Sequence, residues 1–275
     1  MSTSLQCGGL FVRRKYKRLI KAVFPREVES SDLNDAEMER LTVYALTNAK
    51  MLPKIGIFLE RRAGKKFARK EYAHVRVAVQ IMSLLIQACH LDLRVFADSV
   101  VRLTKFLLRQ TEAPDLQLFG CELLIKFAST NQAQDEATQL HALTPFVDDL
   151  VRLCHDSQPR PDLRQSIREA GLRAIVTIIQ LVDSAGLAEQ FGKLMPGVLA
   201  NMNVAPGTGD DMDRRVRDTA FRLFDDICRA LRPTLAPFIL KPLFAYLDGN
   251  NCWASGGDAH SFVLERCLCL SAFHR

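Results

Sequence analysis

The chain has 275 residues, 48% of them hydrophobic, and a formal net charge of +6 with a pI near 8.9. That apolar content is ample for a sizeable core and excludes a disordered chain, while the charge is mild overall but concentrated in the first quarter. The cysteines beyond Cys7 lie mostly inside apolar helical stretches, with no framework spacing and no secretory signal ahead of them, so a reducing, cytosolic environment is expected.

Apolar residues recur at helical spacing through nearly every segment, and no run alternates like a strand. The spacing predicts helices over about 11–24, 35–48, 50–63, 70–90, 92–110, 114–130, 140–155, 162–184, 187–200, 211–231 and 234–248. The first is the most informative. At 100° per residue, Arg13, Arg14, Lys17, Arg18 and Lys21 fall in one arc, and Val12, Tyr16, Leu19, Ile20 and Val23 fall opposite. Lys15 completes the basic run, and Cys7 precedes it. A thioester-linked acyl chain on Cys7 beside this helix would supply the two signals that stable attachment to an anionic membrane surface requires. Two readings stand: the apolar arc docks on the neighbouring helices while the charges face water, or the basic face meets lipid. They are compatible, and the combined one is preferred.

Asp32 or Asn34 is placed to cap the second helix. A second basic run, Arg61, Arg62, Lys65, Lys66, Arg69 and Lys70, falls at the end of the third helix and the turn into the fourth, where cations either complement the helix dipole or contact lipid. The longest apolar stretch, 77–89, is interrupted by Gln80 and Gln87 and is too short to cross a bilayer. Any membrane contact is therefore expected to be peripheral, and Ser2 at the second position excludes N-terminal myristoylation.

Four segments align as a weak repeat: Val75-Arg76-Val77-Ala78, Leu116-Gln117-Leu118-Phe119, Ile167-Arg168-Glu169-Ala170 and Val216-Arg217-Asp218-Thr219. Their spacing of about forty to fifty residues is that of HEAT or armadillo repeats, whose helix pairs must stack to bury their apolar faces. Gly120, Gly171 and Ala220 follow where helices should approach closely. The expected fold is an all-α, right-handed α-solenoid of HEAT/armadillo-like repeats. The expected sections are a basic, acylated membrane-contact segment over 1–26, repeats over 27–253, and a divergent, poorly ordered tail over 254–275. The lack of a polar capping helix in that tail predicts a shortened chain.

Three pieces of the N-terminal region resemble a known family: Tyr16-Lys17-Arg18-Leu19-Ile20 with Phe24-Pro25, Met38-Glu39-Arg40-Leu41-Thr42-Val43-Tyr44-Ala45, and Ala88-Cys89-His90. With Lys126-Phe127-Ala128, Ile167-Arg168-Glu169-Ala170-Gly171 and the stretch 233–253, the sequence is similar to the Eighty-Five-Requiring-Three proteins, also called Rolling blackout, over about residues 7–253. The resemblance implies a helical-repeat rod at the cytoplasmic face of the plasma membrane. Such a rod recruits phosphatidylinositol 4-kinase type III alpha through a tetratricopeptide-repeat adaptor and is an anchor, not an enzyme. It also implies palmitoylation, which maps onto Cys7, and a basic surface that touches acidic phospholipids. The chain departs from the family in having one N-terminal cysteine where members often cluster several, and in length. The adaptor is expected on the longer members' C-terminal part, so this chain is expected to bind membrane without engaging it. If Cys7 is not acylated, a cytosolic fraction is expected.

Other chemistries fit poorly. Cys89-His90 and Cys154-His155 are adjacent pairs that point about 100° apart on a helix, which predicts core packing rather than metal or thiol catalysis. His74, His141, His260 and His274 lack carboxylate partners at useful spacing. The segment Trp253-Ala254-Ser255-Gly256-Gly257 lacks the first glycine and the strand of a nucleophile elbow. Gly207-Thr208-Gly209 lacks the GK[ST] of a phosphate loop. No cofactor or metal is expected. Nucleic acid is not an expected partner, because the charge is confined to one end. The alternative class is a soluble helical-repeat adaptor that binds a protein partner.

Overall fold

The computed structural model describes residues 7–27, 29–130, 143–181, 184–202, 211–230 and 236–249, with some side chains inside these ranges, including those of 7–14, left out. The described residues are helical, with short 3-10 turns and no strands. Eleven α-helices are seen: α1 (Cys7–Val23), α2 (Asp35–Thr47), α3 (Leu52–Ala68), α4 (Tyr72–Ala88), α5 (Leu93–Leu108), α6 (Asp115–Thr130), α7 (Val147–Cys154), α8 (Pro161–Leu181), α9 (Ser184–Met202), α10 (Asp211–Ala230) and α11 (Ala236–Gly249). The tail expected over 254–275 lies outside the described residues, as does the Gly207-Thr208-Gly209 segment. Among the described residues no single helix is long and apolar enough to cross a membrane.

The chain divides into two compact units, 1–131 and 132–275. In the first, α1 packs on α2, α3 on α4 and α5 on α6. Along the stack α1, α3 and α5 form one layer, and α2, α4 and α6 form the other. Helices of one layer run parallel: Tyr16 meets Phe58 edge-on at 6.1 Å, and Phe67 meets Phe106 at 5.4 Å. Of the segment expected over 1–26, the residues of α1 pack on α2 and α3 as the first helix of this unit. In the second unit α7, α9 and α11 make one layer, and α8 and α10 the other.

Local chemistry sets the helix ends. Asn34 is the cap of α2: its Oδ1 accepts the Glu37 amide at 3.3 Å, and its own N–H donates to the Val23 carbonyl at 3.0 Å, which ties α2 to the end of α1. Pro161 opens α8 at a position where its missing N–H costs nothing. α3 runs past Gly64 to Ala68, further than the sequence pattern predicted, because a single glycine costs a helix only about 1 kcal/mol. Its end is a Schellman turn: the Lys70 N–H donates to the Phe67 carbonyl at 2.8 Å and the Glu71 N–H to the Lys66 carbonyl at 3.0 Å. Lys70 holds the left-handed position of that turn, with φ of 59°.

The repeat register holds throughout. Val75, Leu116, Ile167 and Val216 are buried, as are the residues four positions on: Val79, Gly120, Gly171 and Ala220. A Cβ on Gly120 would stand 3.1 Å from the Leu107 Cβ, and one on Gly171 would stand 3.2 Å from the Leu153 Cβ. The tightest crossing involves Gly56, where a Cβ would lie 2.6 Å from the Ser99 Cβ and 2.9 Å from the Phe96 ring, so α3 and α5 meet nearly backbone to side chain. Gly64, by contrast, faces open space.

The two glycines of α3 therefore predict opposite outcomes. Gly56→Ala should destabilise the chain by about 1–3 kcal/mol through overpacking, and Gly64→Ala should stabilise it by about 0.5–1 kcal/mol. Urea midpoints of the two variants check both signs. A similar gain, about 1 kcal/mol, is expected for Lys70→Gly, which removes the left-handed strain of a side chain that has no partner.

Candidate functional site

The arcs assigned to α1 are found where its side chains are described. Tyr16, Leu19, Ile20 and Val23 are buried against the body of the first unit, whereas Lys15, Lys17, Arg18 and Lys21 are exposed. Cys7 is the first residue of α1. Its side chain and those of Arg13 and Arg14 lie outside the described residues.

The fold brings the second basic run beside the first. Lys17 Nζ sits 6.0 Å from the centre of the Phe58 ring on α3, and Phe58, Arg61, Arg62 and Lys65 follow one another at helical spacing on that helix. The run then divides by role. Arg61, Lys65, Arg69 and Lys70 are exposed and form no ion pair among the described residues. Arg62 Cζ lies over the Phe24 ring, 3.9 Å from its centre, and burial pulls the guanidinium pKa below its usual value. Lys66 forms an ion pair with Glu71, whose Oε2 also meets His74 Nδ1 at 3.1 Å. His74 in turn stands edge-on to Phe24 at 5.8 Å.

Phe24 is thus held between Arg62 and His74, and through them the end of α1 is fastened to α3 and α4. Arg62 and Lys66 direct their charge into this joint, which leaves the exposed four as the solvent-facing part of the run. Sequence reasoning missed Phe24 and Glu71, and the reading of His74 as lacking a carboxylate partner is corrected by Glu71, three residues before it. The available signal was an aromatic directly after the helix, before Pro25, and an acid directly after a basic turn.

A groove of about 750 Å³ lies between α1 and α2, lined among others by Lys15, Arg18, Glu37, Glu39, Arg40 and Tyr44. Lys15 Nζ is 5.5 Å from the Tyr44 ring centre, and Arg40 pairs with Glu37 at 2.7 Å. The mixed signs give this groove no strong preference for an anion, so the charge that matters lies outside it.

Of the two cysteine–histidine pairs only the cysteines are core residues, whereas His90 and His155 are exposed, which corrects the expectation that the pairs pack in the core. Cys89 and Cys154 are buried, and burial pushes their thiols up to about 11 and about 12, which leaves them unreactive. The Asn201 side-chain amide donates to the Cys154 carbonyl at 2.8 Å, closing the end of α7. Among the described residues no group of three histidine, cysteine or acidic side chains could hold a metal ion.

A family model described as "EFR3, armadillo repeat" matches residues 38–269. The chain belongs to this family. It is 28% identical over 264 residues to Protein EFR3 homolog B of Danio rerio, covering 90% of this chain and 32% of that protein. It is 29% identical over 276 residues to Protein EFR3 homolog A of Xenopus laevis, covering 93% and 33%. The same identity, over 281 residues with coverage of 93% and 33%, relates it to Protein EFR3 homolog cmp44E of Drosophila melanogaster. The chain therefore spans about a third of the length of these relatives. No solved structure matches it. The resemblance read from the sequence and the all-α repeat fold are both established by these matches.

The joint at Glu71 makes a pH prediction. The hydrogen bond from Lys66, then that from His74, holds the Glu71 carboxyl below its ordinary value of 4.5. A carboxyl with a depressed folded pKa contributes stability above its unfolded pKa and loses it as pH falls through the folded value. Glu71→Gln should therefore lower the melting temperature near neutrality, and the gap to the parent should close as pH falls below about 4.5. Paired thermal melts across that range check the sign.

Proposed function

We propose that this chain is a peripheral anchor at the cytoplasmic face of the plasma membrane. It is held there by an acyl chain on Cys7 and by the exposed cations of α1 and the end of α3. In this reading it serves as the membrane-contacting part of a scaffold that helps place a phosphatidylinositol 4-kinase type III alpha complex where phosphatidylinositol 4-phosphate is made, the tetratricopeptide-repeat adaptor being engaged by the C-terminal part of the longer family members. Membership of the EFR3 family supports the scaffold role. The observation that carries the membrane reading is the docking of α1: its apolar arc is spent on the body, and Lys17, Arg18 and Lys21 are left facing outward next to Arg61 and Lys65.

Magnitudes favour contact by a docked helix over insertion by a detached one. Burial of Leu19, Ile20 and Val23 is worth about 1.5–3 kcal/mol per side chain. Transferring that arc to lipid would only exchange one apolar environment for another and would break the Arg62–Phe24 stack. Each exposed Lys or Arg near an anionic leaflet adds about 1 kcal/mol with no such loss. Charge alone gives reversible binding, and the acyl chain makes it durable.

The test is the location of the fluorescently tagged chain in living cells beside two variants, Cys7→Ser and Arg18→Glu/Lys21→Glu. The parent should line the plasma membrane, and each variant should move to the cytosol. A diffuse parent would overturn the proposal in favour of a soluble adaptor, and unchanged retention of Cys7→Ser would remove the acyl anchor from it.

A further inference from the structure

The two layers of the first unit differ sharply in charge. α1, α3 and α5 together carry fourteen lysines and arginines against two acids, Glu60 and Asp98. α2, α4 and α6 carry three against five. The excess is therefore not confined to the two basic runs: it continues into α5, which neither run includes.

Helix phase shows where these charges face. On α3 the inward arc centres on Leu52, Leu59 and Ala63, and at 100° per residue Lys54, Arg61 and Lys65 fall opposite. On α5 the buried residues Val100, Leu103 and Leu107 set the inward direction, and Arg94, Arg102 and Lys105 fall on the other side. Arg102 donates to Glu60 at 2.9 Å across the α3–α5 seam, which neutralises one of the two acids of the layer. Lys54, Arg94 and Lys105 have no ion-pair partner among the described residues. The outer side of the layer thus presents one cationic flank, three parallel helices wide.

The flank has a second feature that charge alone would not require. Leu91 and Val95, at the start of α5, are 86% and 51% exposed. Val95 shares the outward arc of α5, one turn from Asp98 and two from Arg102, while Leu91 stands out from the turn before the helix. Large apolar side chains beside unpaired cations fit the headgroup–acyl boundary of an anionic bilayer, where both are satisfied. A polyphosphate partner would satisfy only the cations.

We propose that the membrane-contact surface is this whole outer flank of α1, α3 and α5, with Leu91 and Val95 at the apolar boundary and the α2, α4 and α6 layer facing away from the bilayer. The inference rests on the proposed membrane attachment and adds α5 and an orientation to it. It assigns contact roles to Lys54, Arg94 and Lys105 and to the two apolar residues.

The test measures binding of the full, unacylated chain to vesicles of phosphatidylcholine with and without phosphatidylserine, at fixed ionic strength. Removing acylation isolates the protein surface. Arg94→Gln/Lys105→Gln should weaken binding to the anionic vesicles by at least about tenfold, since each charge near the leaflet is worth about fivefold. Leu91→Asn/Val95→Asn should weaken it as well, with the salt dependence unchanged. Lys126→Gln, which removes one charge from the opposite layer, should leave binding as it was. These side chains form no ion pair, and equal melting temperatures confirm that the variants fold. If the α5 charge variant binds like the parent while Arg18→Gln/Lys21→Gln binds weakly, the flank is overturned and the narrower contact stands. If the parent ignores phosphatidylserine, the flank and the protein-surface part of the proposed attachment fall together.

Discussion

Everything that this molecule presents to its surroundings depends on one constraint: a helix in a stacked repeat can bury only the arc that meets its neighbours. α1 has Tyr16, Leu19, Ile20 and Val23 on that arc, so its docking on α2 and α3 fixes the direction of Lys17, Arg18 and Lys21. The stack of Arg62 on Phe24 and the edge contact of His74 fasten the end of α1, so the basic face is held in a set orientation rather than carried on a loose arm. Electrostatic attraction to a surface then acts on the body as a whole.

Cations in this chain do two jobs that sequence alone does not separate. Arg62 and Lys66 lie one helical turn apart in a run of like charge, yet one stacks on an aromatic ring and the other pairs with Glu71. Arg61 and Lys65, offset from them by a single position, face water. A rotation of about 100° per residue is enough to turn a structural cation into an available one. Arg76 shows the same double use in the repeat register, with its guanidinium 5.4 Å from the Phe119 ring centre and 3.9 Å from Asp115.

Much of this was legible from the residues. Apolar periodicity located the helices, and the two arcs of α1 followed from spacing alone. The aligned segments placed Gly120 and Gly171 at close crossings because small residues recur four positions after a buried one. Gly56 was not legible: it sits between Ile55 and Ile57 in a helix outside the alignment, and only its approach to Ser99 reveals why it is small. The end of α3 was misplaced because Gly64 resembles a stop signal although its surroundings are open. The joint at Phe24 was hidden because it joins three elements through residues that are far apart in the chain, and local patterns carry no such information. The charge asymmetry of the layers became visible only when alternate helices were known to share a side.

The central claim is that α1 is part of the folded stack and not a free amphipathic helix. Amide hydrogen exchange of the full chain, without membranes, addresses it directly. The account predicts that the amides of residues 19–23 exchange as slowly as those in the interior of α3, because both require opening of the same packed unit. Exchange of residues 19–23 at the rate of an unstructured peptide, with α3 still protected, would contradict it.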